Sequence, residues 1–178
     1  MKIIKYIPII LIFLMSTSCS WIDGWTHFEI DYETTVTLPQ DLDVNQSEDV
    51  YPAQIAADLD KEVEDEGYDP DKIESVVLDK LKLTLEVPAG TDFGFLTSAE
   101  LFMTAGDHEE IRVAWINDVS DGVGNTIKAK TSSKNLKKYL EEPVITLRLN
   151  VIVNEGIPSD YYIGLDMTFI VDVKILGI

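Results

Sequence analysis

One cysteine and two histidines are all that this 178-residue chain holds of the residue types most used for disulfides, thiolate chemistry and transition metals. A lone cysteine closes no disulfide within the chain. His27 and His108 stand far apart in sequence, and neither lies in an HExxH pattern, so neither has a ligand partner at metal-site spacing. No serine is flanked by glycines as a nucleophile elbow requires, and no phosphate-cradling GxxxxGK[ST] loop occurs. Basic residues are also scarce: 14 lysines and arginines face 32 acids, for a net charge of −18. A chain so acidic lacks the basic patch that nucleic-acid phosphates demand. Paired carboxylates could serve a glycosidase, but among 32 acids no pair stands out. The expectation is a protein that is not an enzyme.

No apolar run approaches the roughly 20 residues of a spanning helix. The longest is residues 7–15 and contains Pro8. Lys2 and Lys5 precede it and small polar residues follow, which are the parts of a secretory signal. Ser16, Thr17 and Ser18 then lead into Cys19. This stretch resembles the lipobox of bacterial lipoproteins, although Ser16 stands where leucine is usual. The resemblance implies that residues 1–18 are removed and that Cys19 becomes the lipidated first residue. It further implies fatty acyl chains such as palmitate and a bacterial envelope address, with the outer membrane as anchor and the domain facing periplasm or exterior. The removed leader carries two lysines and no acid. The remaining 160 residues therefore hold 12 basic and 32 acidic residues, a net −20. Residues 19–26 form a tether with Trp21 and Trp25, and residues 27–178 are expected to form one domain. A chain of that length can bury roughly 70% of its unfolded surface without disulfides.

Apolar residues recur with period two along most of this domain. Phe28, Ile30, Tyr32, Thr34, Val36 and Leu38 alternate with polar neighbours, a half-buried strand that ends at Pro39. Residues 40–51 read as an acidic loop. Pro52, with Asp49 as cap, reads as the start of a helix carrying Ile55, Leu59 and Val63 and stopping at Gly67. Leu81, Leu83, Leu85 and Val87 alternate after a parity change near Asp79, which predicts a bulged strand. Ala99, Leu101 and Met103, then Ile111, Val113 and Trp115, predict two strands joined at Gly106-Asp107. Residues 126–131 allow another. Ser133 can cap a short helix with Leu136, Tyr139 and Leu140. Residues 144–153 and 161–175 alternate most clearly and predict a terminal hairpin. The sum is a mainly β chain of about seven strands: an antiparallel β-sandwich, immunoglobulin-like or jelly-roll-like, with one or two short helices.

Asp41, Asp43, Asn45 and Asp49 have the alternating oxygens of a calcium loop, but Gln46 replaces the turn glycine and Pro52 the closing glutamate. Asn117, Asp118 and Asp121 form a weaker set. No other cofactor is expected. Three readings follow. The first is a non-catalytic, membrane-anchored module that binds a protein or glycan or serves a structural role. The second is a calcium-dependent binding module. The third is an apolar-ligand carrier with Phe93, Phe95, Phe102 and Trp115 lining a pocket between the sheets.

Overall fold

The computed structural model describes residues 27–120 and 122–174. The leader, Cys19, the tether, Asp121 and Ile175 lie outside them. Nine strands run in the order β1 His27–Leu38, β2 Ser47–Ala56, β3 Ile73–Val87, β4 Leu96–Ala105, β5 Ile111–Ile116, β6 Thr126–Lys128, β7 Lys130–Thr131, β8 Val144–Val153 and β9 Tyr161–Val173. Two short helices, α1 Leu59–Asp65 and α2 Lys137–Leu140, join them. The strands form two antiparallel sheets, β1-β9-β3-β6 and β2-β8-β4-β5-β7. The chain is a β-sandwich.

The topology chooses between the two sandwich types. β6 and β7 are one strand interrupted at Ala129, the first half pairing with β3 and the second with β5. Counted as one strand shared between the sheets, they give the orders 1-8-3-6 and 2-7-4-5-6, the arrangement of a jelly roll. An immunoglobulin sandwich keeps several hairpins within a sheet. Among the described strands, sequence neighbours pair here only along β4, β5 and the interrupted strand β6/β7, and every other pairing joins non-consecutive strands.

Alternation drives the burial. On β9, Tyr161, Ile163, Leu165, Met167, Phe169, Val171 and Val173 are all buried, and their counterparts on β8 are Ile145, Leu147, Leu149, Val151 and Val153. The two sets meet from opposite sheets. The predicted terminal hairpin is therefore corrected: β8 lies between β2 and β4, β9 between β1 and β3. Residues 154–160 cross the roughly 10 Å that separates packed sheets. The bulge near Asp79 is present, as a register shift between Leu78 and Lys80 against β9.

Residues 47–56 correct a second expectation. They form an edge strand, not a loop followed by a helix. Val50, Ala53 and Ile55 are buried, with a register shift between Val50 and Ala53 where Pro52 falls. Proline, lacking an N–H, is tolerated in an edge strand or a bulge, and this position is both. The helix begins only at Leu59, capped by Asp58, whose carboxylate accepts from the Lys61 N–H at 3.3 Å. Gly67 does end it, with φ +84° and its N–H on the Glu64 carbonyl. At α2 the N-cap position is Leu136 rather than Ser133, and the side-chain acceptor for the first turn is Asn135, one residue earlier. Its side chain accepts from Lys137 N at 3.0 Å and from Val76 N at 3.2 Å, tying the helix to β3.

Candidate functional site

The gap between the sheets lined by Leu81, Leu83, Leu101, Ala114 and Leu149 measures about 10 Å³, at most the space of one water. Phe93 and Phe95 are 0% and 3% exposed and pack as core. Two of the four proposed pocket-lining aromatics are thus core, and the others, Phe102 and Trp115, are half-buried on the outside.

A bulge puts Trp115 there. Leu101 pairs with Ala114 and Phe102 with Arg112, so Val113 is the extra residue and is buried beside Ala114. A bulge re-aims the side chains that flank it. Without it, strict alternation would send Arg112 and Trp115 to opposite faces; with it, both join the outer face. This corrects the predicted inward set Ile111, Val113, Trp115.

The chain has two arginines, and both sit on this outer face. Phe102 on β4 pairs with Arg112 on β5 and with Arg148 on β8. The Arg148 guanidinium lies over the Phe102 ring at 4.1 Å from its centroid, and Arg112 lies over Trp115 at 4.8 Å. Arg148 also donates Nε to Glu110 Oε1 at 2.8 Å, Nη2 to Glu110 Oε2, and Nη1 to Asp49. Such forked, charge-assisted bonding fixes a planar cation. Glu110 holds Arg148 above its already high pKa, with Asp49 adding, and Arg148 holds Glu110 below the ordinary carboxylate range. Asp49 is also lowered, first by its 2.7 Å bond from Asn150 Nδ2 and then by Arg148. Ser47 Oγ donates to Asn150 Oδ1 at 2.9 Å and extends the network. Arg112 pairs with Glu100.

The other outer face is built differently. Lys80 pairs with Glu29, Lys82 with Asp166, and Thr168 Oγ1 with Asp31 at 2.7 Å. These are side-chain ladders across β1, β9 and β3, with no aromatic among them. A depression of about 410 Å³ lies over them, but its Lys80 and Lys82 are committed to those acids.

The structure does not bring the calcium set together. Asp41 and Asp43 are exposed in the turn before β2. Asn45 has φ 60° and gives its N–H to the Val153 carbonyl at 2.8 Å. Asp49 is on β2, already neutralised by Arg148. Among the described residues no three His, Cys, Asp or Glu side chains cluster as a metal site. Asn117 and Asp118 are exposed, and Asp121 is outside the described residues. His27 is exposed on β1; His108 lies 3.6 Å from Glu142 and against the Tyr139 ring at 5.4 Å. Lipidation at Cys19 likewise falls outside them. No helix among the described residues is long and apolar enough to cross a membrane.

No known protein family matches this chain, and no curated protein is similar to it.

Sequence reading passed over the arginine–aromatic face. A signal was available: both arginines of a lysine-dominated chain fall within strands, each between apolar residues. Only the cross-strand register shows that Phe102 joins them.

Proposed function

We propose that the chain is a non-catalytic binding module, tethered to the bacterial envelope by lipid on Cys19, which presents the outer face of its five-stranded sheet to a partner. The row Arg148–Phe102–Arg112, with Trp115 beside it, carries the reading. Arginine and tryptophan are the residues in which binding energy concentrates at interfaces. They stand here on strands rather than loops, so their geometry is preset and little entropy is lost on contact. The filled interior supports a surface function. The envelope address rests on the leader and the lipobox-like residues 16–19, and anchoring in the outer membrane follows the same reading.

Two measurements test it. In Cys19→Ser, incorporation of a labelled fatty acid is lost and the protein moves to the soluble fraction; unchanged label refutes the tether. Photocrosslinking of the lipidated chain on cells gives discrete adducts that disappear in Phe102→Ala/Trp115→Ala, whose melting stays near wild type. Identical adducts in both refute the face.

A further inference from the structure

At the β5–β7 end of this face, an open depression of about 370 Å³ is lined by Arg112, Trp115, Thr131, Ser132, Ser133 and Lys134. Its composition is unlike the rest of the molecule. In a chain of net charge −18, residues 122–140 carry five lysines and no acid. Of the lining residues two are cations and three carry hydroxyls, and none is acidic. Lys134 is exposed and has no acidic partner among the described residues. Arg112 spends Nη1 on Glu100 and has its guanidinium carbon 4.8 Å from the indole centroid, which leaves its Nε and Nη2 donors for another acceptor. Ser132 Oγ is buried with no hydrogen-bond partner, so among the serines it is Ser133, exposed beside it, that offers a hydroxyl to the depression.

We propose that this depression binds an acidic saccharide, a sugar ring bearing a carboxylate. The chemistry divides among the residues. An indole takes the C–H face of a pyranose, a flat apolar surface edged with hydroxyls. The exposed Ser133 hydroxyl and the guanidinium donors not given to Glu100 match the sugar's oxygens, while Thr131 Oγ1 already donates to the Asp79 carbonyl at 3.2 Å and can only accept. A planar guanidinium and an ammonium at one rim match a carboxylate, Arg112 by its fork and Lys134 as a point charge. A neutral sugar leaves Lys134 without a counter-charge, whereas Arg112 keeps Glu100, and a bare inorganic anion leaves the indole unused. The acidic surroundings sharpen the choice, because this acid-free stretch of surface attracts an anion that the neighbouring acids repel. The inference deepens the binding-module reading and rests on it.

Isothermal titration of the full chain in detergent is the test, with pentagalacturonate, maltopentaose and inorganic phosphate as probes. Pentagalacturonate binds saturably, weakens as salt rises, and binds at least about tenfold more weakly to Lys134→Ala and to Trp115→Ala. Lys134→Glu removes binding, and Lys174→Ala, on the other sheet, leaves it unchanged. Maltopentaose binding as tightly as pentagalacturonate overturns the anionic requirement, and phosphate binding as tightly overturns the saccharide. Full affinity in Lys134→Glu overturns the site, and so does the absence of heat at about 1 mM pentagalacturonate. If that titration fails while the crosslinks still depend on Phe102 and Trp115, the ligand class is wrong and the binding face stands. If both fail, the face itself is wrong.

Discussion

Replacing Phe169 by alanine tests the sandwich at its centre. Phe169 is 0% exposed on β9, an inner strand of the four-stranded sheet, between Ile30 and Leu78 on its neighbours. Tyr32 meets its ring edge-on at 5.8 Å. An aromatic side chain buries roughly 150–250 Å², which at about 25 cal/mol/Å² amounts to about 4–6 kcal/mol. Alanine keeps part of that burial and the site relaxes only partly, so the expected loss is about 3–5 kcal/mol. For a domain of this size that lowers Tm by about 6–20 °C. Thr168, one residue earlier, faces outward and loses only its bond to Asp31. Thr168→Ala should cost about 1 kcal/mol or less. Urea unfolding of both variants, followed by circular dichroism, gives the comparison. Equal losses at the two positions would show that the alternation does not divide inside from outside on this strand, and the packing of the two sheets would be refuted with it.

Three further outcomes are expected. Asp49 and Glu110 have depressed pKa values in the folded protein, so their contribution to stability is complete above the unfolded carboxylate range of about 4 and is lost as pH falls through the lower folded values. Thermal melts should therefore fall more steeply with acid in wild type than in Arg148→Met, which lacks the shared cation; parallel curves would contradict the network. Asp58→Ala removes the cap of α1 and should cost about 1 kcal/mol in urea unfolding, and no loss would show the cap to be idle. Calcium at about 1 mM, an extracellular-type affinity, should leave Tm unchanged because Asp49 is occupied by Arg148 and Asn150. A rise of several degrees that disappears in Asp41→Asn/Asp43→Asn would reinstate the metal loop.

Local pattern made much of this legible. Alternation located β1, β4, β8 and β9, the parity change at Asp79 located a bulge, and Gly67 marked a helix end. The failures share a cause: each depended on a partner distant in sequence. Residues 47–56 look like a loop and a helix start because a bulge interrupts their alternation at Pro52, while Ile55, Leu59 and Val63 mimic a helical stripe. What makes them a strand is Ile145, Leu147 and Leu149 on β8. The turn signals between β8 and β9 are equally compatible with a hairpin and a crossover. Pairing along both edges of β9 decides, since its partners are β1 and β3. Trp115 was misplaced by one unseen bulge residue, Val113. The candidate site suffered most, since Arg112, Phe102 and Arg148 meet only through register across three strands.

The place of β9 governs when this protein can fold. The four-stranded sheet has β9 as an inner strand, pairing β1 to β3, and β9 is the last strand described. His27 finds its partner at Asp172 and Leu38 at Tyr161. No earlier segment of chain can substitute, so half the sandwich waits on the final strand to be synthesised. Such long-range closure is slow, on the scale of milliseconds to seconds. Until β9 is made, the edges of β1 and β3 that it will bridge lack their partner, so the four-stranded sheet closes after the five-stranded one has all its described strands.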